Sequence, residues 1–132
     1  MTELEQRLQN CRDENGNCLS LLDLEIGTLE CVNEFPNLSV LYINSTQIID
    51  LTPLQKLTNL TELYVFSNQF INLTPLGNSH KLNRLVISSG QIIDISPLKT
   101  LTSLLELYYI NTPITDFSVL DHLVKNGLEI YK

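Results

Sequence analysis

One hexapeptide pattern recurs along the chain at a fixed interval. Leu38-Ser-Val-Leu41-Tyr-Ile43 returns as Leu60-Thr-Glu-Leu63-Tyr-Val65, as Leu82-Asn-Arg-Leu85-Val-Ile87 and as Leu104-Leu-Glu-Leu107-Tyr-Tyr109, with evenly spaced starts at positions 38, 60, 82 and 104. The rest of the unit keeps the same register. Ile48, Phe70, Ile92 and Ile114 hold one apolar position, and Leu51, Leu73, Ile95 and Phe117 hold the next. Behind them come Thr52-Pro53-Leu54, Thr74-Pro75-Leu76, Ser96-Pro97-Leu98 and Ser118-Val119-Leu120. A unit this short cannot bury its own leucines; a stack of such units can, so the period implies a solenoid with one continuous core.

Within each unit the alternation is that of a strand: Leu41 and Ile43 point one way, Val40, Tyr42 and Asn44 the other. Stacked units then form a parallel sheet with strands about 4.8 Å apart. The Thr-Pro or Ser-Pro that follows starts a tight 3-10 or helical return turn. Here the Thr or Ser is expected to cap the free N–H groups, and Pro supplies a preset φ.

The flanks differ, as solenoid ends must. Leu19, Leu22, Leu24 and Leu29, with Val32 and Phe35, read as an irregular, shortened opening unit over positions 19–37, and Leu128-Glu129-Ile130 as a terminal sixth strand. Residues 1–18 divide off as an N-terminal capping helix and turn, and residues 19–132 as about five repeats plus that strand, one domain in all. Thr2 and Glu5 form a capping box, and Leu4, Leu8 and Cys11 an apolar stripe on a helix of about three turns. Ser118 to Asp121 begins a closing helix that Asn126-Gly127 ends.

The motif L-x-x-L-x-L…(I/F)-(I/T)-(D/N)-(L/I/F)-(T/S)-P-L resembles the 22-residue class of leucine-rich repeats, which includes bacterial internalins and a phosphatase regulatory subunit. The resemblance runs from Leu19 to about Ile130. It implies an α/β solenoid: a short right-handed horseshoe with a parallel sheet on its concave face and short 3-10 or helical turns on the convex side. It also implies partner binding on the concave sheet. One departure stands out. Where such repeats place an asparagine ladder after the strand, this chain has Gly27, Thr46, Asn68, Gly90 and Thr112, so only Asn68 fits. Backbone groups or water are expected to replace the ladder, with irregular curvature at Gly27 and Gly90.

With the leucines inside, three outward columns line the concave face. The middle one reads Asp23, Tyr42, Tyr64, Val86, Tyr108, Glu129, and the next Glu25, Asn44, Phe66, Ser88, Ile110, Tyr131. The remaining one reads Leu21, Val40, Glu62, Arg84, Glu106, Gly127. Five of the nine aromatic residues (Tyr42, Tyr64, Phe66, Tyr108 and Tyr131) fall on this face, while Phe35, Phe70, Tyr109 and Phe117 fall inside. Aromatics suit strands by propensity alone, but a solvated sheet face has no need of Val40, Val86 and Ile110 as well. A Tyr-rich apolar patch is the mark of a binding surface. Tyr42, Asn44, Glu62, Tyr64, Phe66, Arg84, Val86, Glu106, Tyr108, Ile110 and Tyr131 are therefore the candidate partner contacts. Glu62 and Glu106 flank Arg84 and can pair with it across neighbouring strands.

Composition excludes several classes. The net charge of −7 disfavours nucleic acid, whose phosphates need Lys and Arg; it leans toward a basic protein partner. No stretch approaches the roughly 18 apolar residues of a membrane span. The polar start Met1 to Arg7 lacks a signal-peptide core, and three cysteines (Cys11, Cys18, Cys31) make an odd, sparse set. A reducing cytoplasm is the expectation, with a Cys11–Cys18 disulfide as the alternative. His80 and His122 lie on return segments without metal-ligand spacing, and no His neighbours a Cys, so neither a zinc site nor a thiol nucleophile is expected. The aligned Asp50, Asn72, Asp94 and Asp116 suggest either a calcium column or, better, local turn formation.

The expected protein is thus a non-enzymatic binding module with no cofactor, metal or small-molecule substrate. A small inhibitor, immunity-type or regulatory protein is the first version, which the capped start at Met1 favours. The alternative is a recognition domain of a larger enzyme or effector, which the uncovered last strand favours.

Overall fold

The computed structural model describes residues 2–45, 47–48, 50–67, 72–92 and 94–132. Its centre is one six-stranded, all-parallel sheet in chain order, made of β1 (Cys18–Leu21), β2 (Val40–Asn44), β3 (Glu62–Phe66), β4 (Arg84–Ser88), β5 (Glu106–Ile110) and β6 (Glu129–Tyr131). Between strands the chain returns through 3-10 turns at Glu30–Glu34, Thr52–Lys56, Thr74–Asn78, Ser96–Thr100 and Ser118–Leu120. Helix α1 (Glu3–Asp13) precedes the sheet, and the short α2 (Asp121–Lys125) follows the last turn.

Leucine sets the register. Leu19 pairs with Leu41, Leu41 with Leu63, Leu63 with Leu85 and Leu85 with Leu107. All five are fully buried, as are Leu54, Leu76, Leu98 and Leu120 from the turns behind them. Such a ladder repeats one contact down the stack, and each leucine withdrawn from water contributes about 1.5–3 kcal/mol.

The capping box at Thr2 forms: Thr2 Oγ1 accepts the Glu5 N–H at 3.0 Å, and Glu5 accepts the Thr2 N–H at 3.2 Å. The stripe of α1 turns inward, with Cys11 buried and Leu4 and Leu8 packed against the core. Arg7 donates to the Ser20 carbonyl at 2.8 Å, so α1 packs along the outer side of β1. Among the inward aromatics Phe35 is buried, and Tyr109 and Phe117 pack on the core with ring centres 4.8 Å apart; Phe70 lies outside the described residues.

The opening unit differs from the expectation. Leu19 aligns with Leu41 rather than Leu38, so this unit keeps the period of the others and is not shortened. Leu21, expected outward, faces the core at 0% exposure, and Asp23 sits beyond the strand with φ 63°. Four leucines crowd residues 19–24, so leucine spacing alone cannot fix their register. The place equivalent to Leu38 belongs to Gly16, at φ 68° and pressed so close to Phe35 that a Cβ would meet its ring at 3.3 Å. The Phe35 ring stands where a side chain at this place would go.

Turn capping also differs from the expectation. Thr52, Thr74, Ser96 and Ser118 do not cap; they are the first turn residues, and their N–H groups are donors. The acceptors are Asp50, Asn72, Asp94 and Asp116, at 2.8, 3.0, 2.9 and 2.9 Å. The cause is geometric: a side-chain oxygen two residues upstream reaches the N–H that a turn leaves free.

Serine replaces the asparagine ladder. Ser45 and Ser89 are buried to 1% and 2% exposure, and Ser67 holds the equivalent place. Ser45 Oγ donates to the Ile26 carbonyl of the preceding unit at 3.0 Å, and Ser67 Oγ to that of Ile48 at 3.3 Å. The hydroxyl also accepts an N–H two residues on, Gln47 at 3.1 Å and Gln91 at 3.3 Å. One residue earlier than asparagine would stand, a hydroxyl thus joins adjacent units side chain to backbone. Neither Gly27 nor Gly90 has positive φ; Thr46 and Asn68 lie outside the described residues. Removing the hydroxyl in Ser45→Ala leaves the half-buried Ile26 carbonyl without that donor. The expected loss is about 1–3 kcal/mol in urea unfolding, against a change within about 0.5 kcal/mol for Ser88→Ala on the outward face.

Candidate functional site

The outward faces of β1 to β6 form one surface, and strand register fixes its columns. The middle column is Ser20, Tyr42, Tyr64, Val86, Tyr108, Tyr131. One flank is Cys18, Val40, Glu62, Arg84, Glu106, Glu129, and the other includes Asn44, Phe66, Ser88 and Ile110. All eleven residues singled out from the sequence therefore lie on this surface. All three expected columns need correction at their ends, the third because Glu129 takes the place expected for Gly127. Tyr131 pairs with Tyr108 rather than following Ile110, and Glu129 pairs with Glu106 rather than Tyr108. The turn through α2 makes the last interval one residue longer than the rest, which slides β6 along the sheet. At the other end Ser20 and Cys18 hold the places expected for Asp23 and Leu21, and Glu25, like Asp23, falls beyond the strand.

Stacking at strand spacing brings the tyrosines into contact. The rings of Tyr42 and Tyr64 stack with centres 4.6 Å apart and planes 17° apart, and those of Tyr108 and Tyr131 at 4.7 Å and 18°. Offset stacking at this distance is favourable beyond the area it buries. Between the pairs stands Val86, 8% exposed yet outside the main core, because Tyr64 and Tyr108 rise on either side of it. Tyr64, Arg84, Val86, Tyr108 and Ile110 line an open depression of about 280 Å³. Ile110 remains 40% exposed on its rim. A second, more polar hollow of about 300 Å³ lies at the strand ends, between Asn44, Phe66, Ser88 and Asn111.

Charge on this surface is confined to one flank. Arg84 Nε donates to Glu106 at 2.7 Å, and its Nη1 lies 3.4 Å from Glu62 and 3.4 Å from the Tyr64 hydroxyl. The bond to Glu106 above all, then that to Tyr64, raises the guanidinium pKa further. These groups are half-exposed and screened by solvent; their effect is to hold Arg84 along the column. Tyr131 donates to Glu129, and that bond pushes its hydroxyl up to about 12. Burial raises Tyr42 as well. Both phenols stay neutral near pH 7 and act as apolar faces with a donor at the rim.

The other candidate chemistry has a structural explanation. Burial pushes all three thiols upward, away from the thiolate, and the described cysteines are free. His80 and His122 contact the carbonyls of Thr100 and Lys99 on neighbouring turns, at 3.3 and 2.8 Å. The column of Asp50, Asn72, Asp94 and Asp116 forms the turns described above. Among the described residues no three His, Cys, Asp or Glu side chains converge on a metal position.

Six parallel strands stacked in repeat order, each reached through a short return turn behind an N-terminal helix, define a leucine-rich-repeat solenoid, and the chain is a leucine-rich-repeat protein. A family model described as leucine-rich repeats in two copies matches residues 36–78. Among solved structures it is similar to internalin C2 of Listeria monocytogenes, with 34% identity and a TM-score of 0.78, over 86% of this chain and 50% of that one. It is also similar to the internalin inlF of the same organism, with 31% identity and a TM-score of 0.71, over 81% of this chain and 31% of that one. The chain thus spans half of the first relative and less than a third of the second. Comparison with curated proteins finds no significant match. Leucine-rich-repeat domains of this kind are typically non-catalytic and bind other proteins.

The turn carboxylates make a pH prediction. The bonds from Thr52, Ser96 and Ser118 hold Asp50, Asp94 and Asp116 below the usual aspartate range. A depressed folded pKa contributes stability above the unfolded value, and loses it as pH falls through the folded one. Asn72 already makes the same bond with an uncharged amide, at 3.0 Å. The triple variant Asp50→Asn/Asp94→Asn/Asp116→Asn should therefore fold, and should lose less stability than wild type between about pH 5 and about pH 2. Denaturant unfolding followed by circular dichroism at stepped pH measures the difference.

Proposed function

We propose that this protein is a non-enzymatic binding module that docks another protein on the concave sheet face. One observation carries the reading: Tyr42, Tyr64, Tyr108 and Tyr131 stand in a single column, with Phe66 and Ile110 beside it, on a face that no other element among the described residues covers. The main core is complete without them. Tyrosines with an apolar body and a polar tip are the side chains that carry protein interfaces. The net charge of −7 and the carboxylates of Glu62, Glu106 and Glu129 favour a partner with a basic surface. A small inhibitor, immunity-type or regulatory protein, working in a reducing cytoplasm where its three thiols stay free, fits this charge. A second reading, a recognition part of a larger effector or enzyme, draws support from the longer internalins to which the chain is similar.

The test is affinity capture, identification of the captured protein, and titration with that protein purified. Tyr64→Ala/Phe66→Ala/Tyr108→Ala should weaken binding by more than about tenfold, as loss of aromatic anchors does. The convex control Lys56→Ala/Lys99→Ala should bind like wild type. Equal binding by the triple variant, with its circular dichroism unchanged, would remove the concave face from the function.

A further inference from the structure

The middle column of the sheet is a tyrosine stack interrupted at one row, and the interruption is specific in size. Tyr42 and Tyr64 stack at 4.6 Å, and Tyr108 and Tyr131 at 4.7 Å, each close to one strand spacing. The row between them carries Val86, whose side chain is too short to reach the height of the rings. Tyr64 and Tyr108 are two rows apart, roughly 9.6 Å at about 4.8 Å per strand. One planar ring placed over Val86 would lie about 4.8 Å from each, inside the favourable stacking range of about 4.5–7 Å. Val86 supplies the floor and Ile110 an apolar side wall.

We propose, building on the concave-face reading above, that this gap seats one aromatic side chain of the partner, presented on a segment that also carries Lys or Arg. The ring completes the column from Tyr42 to Tyr131 as one continuous stack. Charge selects the setting. Arg84 borders the gap and opposes a cation inside it, which favours a ring over a guanidinium or ammonium as the occupant. Beyond Arg84 the flank has three carboxylates, Glu62, Glu106 and Glu129, against that one guanidinium, on a chain of net charge −7. Cations beside the ring, not in its place, are therefore matched.

Val86→Tyr tests this directly, because it supplies the missing ring from within while leaving every core position intact. The probe is a displayed dodecapeptide library selected on the wild-type protein, with the enriched peptides synthesised and titrated. Enriched peptides should hold a Phe, Tyr or Trp next to Lys or Arg, and should move the Val86 methyl resonances upfield by ring current. Val86→Tyr should weaken them by about tenfold or more, with its melting temperature retained. Peptides that need Tyr64 and Tyr108 but lack an aromatic residue, or that bind Val86→Tyr equally, would overturn the single-ring gap and leave the concave-face reading standing. So would peptides that seat Lys or Arg over Val86. Peptides indifferent to Tyr64→Ala, Tyr108→Ala and Val86→Tyr alike, or no enrichment at all, would overturn both.

Discussion

Burial of a single leucine ladder governs this molecule. No one unit can hide its leucines, so each strand must lie beside the next in a register that stacks Leu19, Leu41, Leu63, Leu85 and Leu107. A slip of one residue would turn every leucine outward. Once the inner face is fixed in this way, the outer face has no freedom left. Residues one repeat apart must stand side by side at strand spacing, which is the distance at which two aromatic rings stack. The tyrosine column is thus a consequence of core packing, and only the choice of residue in each row remains free.

The polar groups divide the remaining work by position. Serines tie one unit to the next where the chain leaves the sheet, and aspartates or asparagine fold each return turn locally. The two devices differ in exposure. The serine bonds are half-buried and stabilise the stack; the turn bonds sit in solvent and shape the backbone more than they stabilise it.

The central four repeats are legible in the sequence because their leucines, prolines and aspartates agree on one period. The candidate site is legible for the same reason, since alternation within β2 to β5 assigns each outward residue. The two ends are not. In β1 the crowd of leucines at 19, 21, 22 and 24 offers several registers, and the close approach of Phe35 to Gly16 leaves no room for a leucine in the place equivalent to Leu38. In β6 the extra residue in the turn through α2 moves Tyr131 onto Tyr108, a shift that matching at a fixed period cannot detect. The serine ladder is invisible from the asparagine position, which it precedes by one residue. Its signal lies in Ser45, Ser67 and Ser89, three serines in register at the repeat period.

The register of β6 separates the structure from the pattern most cleanly, and it determines whether the column of rings exists at that end. At 15.0 kDa the protein suits nuclear Overhauser measurements between assigned side chains. The account predicts cross-peaks between the rings of Tyr108 and Tyr131, and from the Val86 methyls to the rings of both Tyr64 and Tyr108. Cross-peaks joining Tyr131 to Ile110 instead, with Tyr108 facing Glu129, would contradict it.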